Sequence, residues 1–212
     1  MDATVAVAAV REVGPGTVAI EFETPDGFEA EPGQFVKLSG TVDGEEYSRF
    51  YTLSSPGVEE TFEVTVGVDP EEAGPFSRHL TDLREGDELD VSGPFGRSYY
   101  QEESRVVVLA GGPGVGPAVG IGEAAVADGN EVAVVYQTGA PAHAERLDAL
   151  RDAGASVVVT EGAIGSAVAD AVTGEEAEQV FVYGIDDFVE EAGAAIEAAG
   201  GDADAAKVEN FG

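Results

Sequence analysis

The periodicity of this chain changes once, near residue 100, and that change restricts it to two joined architectures. Before it, apolar and polar residues alternate with period two over short stretches at 5–10, 17–22, 35–38, 48–55, 61–68 and 88–91. Gly14-Pro15-Gly16, Glu31-Pro32-Gly33 and Asp43-Gly44 punctuate them as turns. Period two is the spacing of a strand with one buried face. A single short helix is expected at 77–83, with Ser77 as N-cap and Gly86 as its stop. Six short strands and one short helix predict an antiparallel barrel over residues 1–99.

After Gln101-Glu102-Glu103, read as a linker, strand-length apolar runs at 106–110, 131–136, 155–159, 180–183 and 205–208 alternate with helical segments. Those helices are expected at 115–127, 144–151, 165–172 and 187–199. Regular β/α alternation with one crossover hand predicts a five-stranded parallel, doubly wound sheet over residues 103–212.

Residue types exclude several chemistries. The chain has no cysteine and only two histidines, His79 and His143. Disulfides, thiolate metal sites, protein-ligated iron–sulfur clusters and multi-histidine zinc sites are therefore ruled out, and no metal is expected. There is no P-loop and no Gly-x-Ser-x-Gly elbow. No run of 18 apolar residues suggests a membrane span, and Met1-Asp2-Ala3-Thr4 lacks a basic, signal-like start, so a cytoplasmic location is expected.

Forty-two acids against ten bases give a net charge of −32. The acids are spread along the chain, so nucleic acid is an implausible partner. Such a surface repels itself in dilute buffer, and at 1 M salt, where the Debye length is about 3 Å, that repulsion is screened. Adaptation to a salt-rich cytoplasm is the expectation. Against this background, windows without acids stand out: 32–42, 47–58, 73–81, 91–101, 104–122 and 132–144. They hold Lys37, Arg49, Arg78, Arg97, Arg105 and both histidines. Buried strands exclude acids anyway. The polar loops at 74–79 and 137–143 do not, and there an approaching anion is the expectation.

Two of these windows carry recognisable chemistry. In Ser48-Arg49-Phe50-Tyr51-Thr52, strand geometry brings a cation, a flat aromatic and a hydroxyl within about 10 Å. Gly111-Gly112-Pro113-Gly114-Val115-Gly116-Pro117 lies between the first parallel strand and its helix, where backbone N–H groups favour a pyrophosphate. An ordinary Rossmann fingerprint would need a third glycine at 117 and an acid at the end of the second strand. Pro117 and Gln137-Thr138-Gly139 stand there instead.

Taken in order, these motifs resemble those of the ferredoxin–NADP⁺ reductase family. The resemblance implies an FAD-binding barrel (1–99) and an NAD(P)-binding domain (103–212). Arg49 would hold the FAD pyrophosphate, Tyr51 would pack on the isoalloxazine, and Thr52 would approach flavin N5, with Phe50 in the same signature. Gly74-Pro75-Phe76-Ser77 resembles the second flavin-phosphate loop, and Gly93-Pro94-Phe95-Gly96 the turn that closes the barrel. Gly111, Gly112, Gly114 and Pro117 match the nicotinamide-nucleotide loop. Tyr183-Gly184 matches a Cys-Gly turn with tyrosine in place of the thiol and Phe188 in place of a methionine. Glu209-Asn210-Phe211 resembles the family's Glu-x-aromatic, which places Phe211 over the flavin.

The implied activity moves hydride from NADH or NADPH to FAD and electrons on to a ferredoxin or another carrier, or the reverse. Thr52, Glu209 and Phe211 would be the catalytic residues. A relay subunit of a larger complex, a free-flavin or quinone reductase, and a flavin-free binding protein are the alternatives. NADPH would want an arginine or lysine beside Thr138; the nearest is Arg146, with His143 closer but a weaker base, which leans the expectation slightly to NADH. If the acidic surface is a salt adaptation, the thermal midpoint rises from dilute buffer to molar KCl; a midpoint that falls as salt rises counts against it.

Overall fold

The structure, a computed structural model, describes residues 1–68 and 73–212. The period-two stretches form β1 (Asp2–Gly14), β2 (Thr17–Glu23), β3 (Phe35–Val42), β4 (Glu45–Thr52), β5 (Thr61–Gly67) and β6 (Glu88–Phe95). They pair antiparallel in the order β4-β3-β6-β1-β2-β5. An antiparallel bridge between Leu53 and Val64, with the Ser54 N–H donating to Glu63 O at 2.8 Å, joins the two edges beyond the end of β4. The sheet closes there into a barrel, and the inward residues Ile20, Phe22, Val36, Leu38, Phe62 and Val64 form its core.

Helix α1 (Pro75–Asp82) covers part of this core with Phe76 and Leu80. Its start differs from expectation. Gly74 is the N-cap and makes no side-chain cap bond, while Ser77 lies inside the first turn. Pro75 explains this, since its fixed φ and missing N–H suit the first helical position. The helix also ends earlier, at an extended Leu83, and Gly86 (φ 89°) serves the following turn.

Strands β7 (Arg105–Gly111), β8 (Glu131–Gln137), β9 (Ser156–Thr160), β10 (Glu178–Gly184) and β11 (Lys207–Asn210) form a parallel sheet in the order β11-β10-β7-β8-β9. Alternate residues of β7 build opposite cores. Val106, Val108 and Ala110 pack with α2 (Val115–Ala127) and α3 (Ala144–Asp152). Val107 and Leu109 pack with α4 (Gly165–Ala171) and α5 (Asp186–Ala198). Both faces are covered, which is why these strands read as continuous apolar runs.

The last strand begins two residues later than expected. The Asp202 carboxylate accepts from the N–H groups of Asp204 and Ala205, at 3.0 and 3.3 Å, and holds that segment as a turn. The resulting register pairs Tyr183 with Glu209 and leaves Phe211 just beyond the strand. The linker is also held in place. Lys207 Nζ donates to Tyr99 O, Gln101 Oε1 and Glu103 Oε1 at 2.7, 3.1 and 2.5 Å, and Tyr100 is buried.

Barrel and sheet meet along α2 and α3. A Cβ at Gly116 would come within 2.8 Å of Thr65, and one at Gly120 within 3.0 Å of the Ser54 and Ser55 backbone. Arg146 of α3 crosses this contact, donating to Glu63 at 2.8 Å, Ser54 O at 2.6 Å and Glu123 at 2.7 Å. Arg11 binds the other oxygen of Glu63 at 2.8 Å, and Glu21 at 2.7 Å. His143 Nε2 shares a 2.8 Å hydrogen bond with Thr65 Oγ1. Burial, then the charges of Arg146 and Arg11, push this histidine down to about 3, so it is neutral at ordinary pH.

Removing Arg146 would leave a buried carboxylate with one guanidinium instead of two. Breaking a buried ion pair costs about 3–5 kcal/mol, and the partial exposure of Arg146 reduces this. Arg146→Ala is expected to lower the unfolding free energy by roughly 2–3 kcal/mol in a urea titration at fixed salt.

Candidate functional site

The end of β4, the second half of β5, α1, the loop after β7 with the start of α2, and the end of β11 with the residues after it line a crevice of about 410 Å³. The barrel contributes Arg49, Tyr51 and Thr52 from β4, Thr65 and Gly67 from β5, and Ser77 from α1. The parallel sheet contributes Pro113, Pro117, Glu209 and Phe211. Both halves of the chain therefore line one space.

Alternation along β4 decides what each residue does. Thr52 is 7% exposed, and its hydroxyl donates to Glu209 Oε1 at 2.9 Å across 157 residues of sequence. Burial pushes the Glu209 carboxyl up to about 7, and the Thr52 hydrogen bond opposes the rise. A carboxyl so placed can hold or release a proton near neutral pH. Burial likewise raises the Tyr51 phenol, against a hydrogen bond from the Ser77 side chain and the charge of Arg49. Arg49 is exposed and donates to Ser48 O at 2.8 Å. Among the described residues it forms no ion pair, although acids outnumber bases fourfold in this chain.

The other sequence candidates divide by position. Phe76 is 2% exposed and belongs to the barrel core, so it does not reach the crevice. Its apolar position in an amphipathic helix explains this. Phe50 is 62% exposed and touches Phe35 and Phe95 edge-on, with ring centroids 5.5 and 6.2 Å away. Gly74 is exposed, with nothing within 4 Å of an added Cβ.

Three loop glycines owe their identity to packing. A Cβ at Gly114 would lie 2.2 Å from Tyr183 O, and Cβ atoms at Gly111 and Gly184 would each lie 2.5 Å from the Phe188 ring. Gly112, at φ 52°, has open space around it. Val115, Gly116 and Pro117 then open α2 with no acid in its first turn.

Tyr183 is fully buried and donates to Ser98 O at 3.1 Å, away from the crevice. Burial and the charges of Glu209 and Glu103 hold its phenol well above the ordinary range. Its ring stacks on Phe211, centroids 6.4 Å apart, and so backs the aromatic that lines the crevice. Thr138 stands apart, at the carboxyl end of β8. Its hydroxyl donates to Ala140 O at 3.2 Å and accepts from Ala140 N at 3.1 Å. Arg146 and His143, the bases nearest it in sequence, are committed to the barrel contact.

Thr65 and Pro113 line the crevice without having been singled out from sequence. Pro113 lies within the glycine loop and could have been. Thr65 is one of several alternating β5 residues, and nothing local distinguishes it.

Residues 4–100 match the oxidoreductase FAD-binding domain family. Over 109 residues, half of this chain, the sequence is 35% identical to a probable dihydroorotate dehydrogenase B (NAD(+)) electron transfer subunit from Methanopyrus kandleri. Over 99 residues, 45% of this chain, it is 40% identical to the glycine betaine monooxygenase reductase subunit of Pseudomonas aeruginosa. The matches span 38% and 26% of those two proteins. Among solved structures, a ferredoxin NADP⁺ reductase from Neisseria gonorrhoeae with bound FAD and NADP has the same fold (TM-score 0.78, 16% identity), covering 100% of this chain and 99% of that one. So does the FAD/NAD-binding domain of a nitric oxide dioxygenase from Vibrio cholerae (TM-score 0.84, 19% identity; 99% and 98% covered). Residues 4–100 thus match an FAD-binding oxidoreductase domain, and the chain as a whole has the fold of these solved structures.

The Glu209 carboxyl sets a pH dependence. Its folded value of about 7 exceeds the ordinary 4.5, so between these values the folded state holds a proton that the unfolded state has lost. Stability from this group is present below 4.5 and is lost as pH rises through 7, by roughly 3 kcal/mol at most. Relative to Glu209→Gln, the wild type should lose stability across that window; equal slopes of midpoint against pH would refute the assignment.

Proposed function

We propose that this protein is an NAD(P)H-dependent flavoprotein reductase that passes electrons to a separate carrier. The observation that carries the reading is the shared crevice, where Arg49, Tyr51 and Thr52 face Pro113, Pro117, Glu209 and Phe211. The division into an FAD-binding barrel, residues 1–99, and a nicotinamide-nucleotide domain, residues 103–212, is part of the proposal. The pinned linker at 99–103 and the two separate sheets support it.

The residues suit FAD. Arg49 is a cation without a carboxylate partner among the described residues, and it lines the crevice with Ser77 of α1, a helix with no acid in its first turn. In this reading Arg49 holds the pyrophosphate, with Gly74 and Ser77 beside it. The Tyr51 ring supports the flavin, and Phe50 flanks it from the outer face. Bound FAD supplies a two-electron acceptor for hydride from NADH or NADPH and can give electrons onward.

The protein's own part is placement and protonation. Gly112 offers open backbone to the nucleotide, while Gly111, Gly114, Pro117 and Gly184 shape the wall against which it lies. Tyr183 braces Phe211, whose ring covers the place where the nicotinamide docks. Thr52 presents its hydroxyl at the reacting edge, and Glu209 orients it and exchanges a proton there. Thr138 lies at the adenylate end.

These 212 residues hold no cysteine and so no protein-ligated iron–sulfur cluster, and in this reading electrons pass to a carrier outside them. A ferredoxin or similar carrier suits this best. The likeness to a protein named as an electron transfer subunit supports a second reading, a relay within a complex. A salt-rich cytoplasm is the proposed setting, from the net charge of −32; no helix of the described residues is long and apolar enough to cross a membrane.

The test is spectroscopic. The isolated chain should bind FAD, show a flavin absorption band that NADH or NADPH bleaches, and then reduce added ferredoxin. Bleaching without onward transfer to ferredoxin favours the relay. Arg49→Ala should retain much less FAD, by about tenfold or more in affinity, as expected for a lost charge-assisted bond of about 1.5–3 kcal/mol. Equal FAD occupancy would contradict its role.

A further inference from the structure

We infer that this protein discriminates against a 2′-phosphate on the nucleotide, and so takes NADH in preference to NADPH. This rests on the nucleotide-binding reading above and adds a substrate choice to it. In a parallel sheet of this kind the adenosine ribose lies at the carboxyl end of the second strand, here β8. A 2′-phosphate placed there carries negative charge and needs a base beside it.

Every base of residues 103–212 is committed elsewhere. Arg105 starts β7 and binds Glu178 and Glu131, at 2.9 and 2.6 Å, at the opposite end of the sheet. Arg151 pairs with Asp148 and donates to Val157 O near the start of β9. Lys207 starts β11 and holds the linker. Arg146, the one base close in sequence to β8, is turned into the barrel contact by Glu63, Glu123 and Ser54 O. His143 is buried against Thr65 in the same contact. The barrel meets this corner through Val13, Gly14 and Thr65, and Arg11, the barrel base that lines a cavity with His143 and Arg146, is itself paired with Glu21 and Glu63.

Acids supply the charge that is present. The Glu191 carboxylate of α5 accepts from Gln137 Nε2 and from Ile164 N, both at 3.0 Å, and so stands against the end of β8. Sequence order hid this acid, since it follows β8 by more than fifty residues. Glu161 is exposed in the loop after β9. A phosphate entering this corner meets acids and bases already paired with carboxylates, in a protein whose net charge is −32.

The clasp and the selectivity thus have one origin. The guanidinium that could have met a 2′-phosphate is spent on joining the two halves of the molecule.

Calorimetric titration of the FAD-loaded protein with ADP-ribose and with 2′-phospho-ADP-ribose tests this without turnover. At one fixed salt concentration, ADP-ribose should bind more tightly by about ten- to a hundredfold, the range of a missing charge-assisted bond. Gly139 is exposed, with nothing within 4 Å of an added Cβ, so Gly139→Arg should fold with an unchanged thermal midpoint. It should narrow the gap severalfold by improving the phosphorylated probe alone. Equal or tighter wild-type binding of 2′-phospho-ADP-ribose overturns the selectivity and leaves the nucleotide site standing. Binding of neither probe overturns the nucleotide site and the selectivity with it.

Discussion

One carboxylate, Glu63, holds the molecule in its working shape. It is buried in the barrel wall and receives Ser54 Oγ at 2.7 Å, Arg146 at 2.8 Å and Arg11 at 2.8 Å. A charge in that position is costly unless it is paired and hydrogen-bonded, and here both oxygens are satisfied. Because Arg146 belongs to the parallel half and Arg11 to the barrel, the same carboxylate ties the two together. Glycines at 116 and 120 let α2 come close enough for that reach. The crevice exists because this contact sits behind it.

From that contact the site follows. With α2 pressed on β5 and the segment 54–55, the loop before α2 comes opposite the end of β4. The late start of β11 then sets Glu209 level with Tyr183 and within reach of Thr52. Burial at the junction makes the Glu209 carboxyl protonatable near neutral pH, and burial on the other side keeps His143 neutral. Two titratable groups are thus set by one interface, in directions suited to their places.

The glycine loop shows how one motif can have two physical causes. From sequence, its glycines suggested room for a ligand. Gly112 does have open space, but Gly111 and Gly114 are demanded by Phe188 and by the backbone of β10. The substitution of tyrosine for a thiol at 183 is likewise absorbed by packing. Its hydroxyl finds Ser98 O, and its ring supports Phe211.

By itself the sequence determined the order and kind of the elements. Period two and continuous apolar runs report burial on one face or two, and that is a local property of each strand. It also placed Arg49, Tyr51, Thr52 and the glycine loop, because strand alternation and the βα turn are local too. It misjudged the cap at Ser77, where Pro75 competes for the same turn, the start of β11, and the crevice role of Phe76. Only the tertiary structure decided which charges are free. Along the chain Arg146 is simply the arginine nearest Thr138, and sequence distance does not say what its guanidinium meets. Its partners, Glu63 and Ser54, lie more than eighty residues away. Whether a guanidinium meets a carboxylate or a ligand depends on what stands within 3 Å of it, and no periodicity along the chain encodes that.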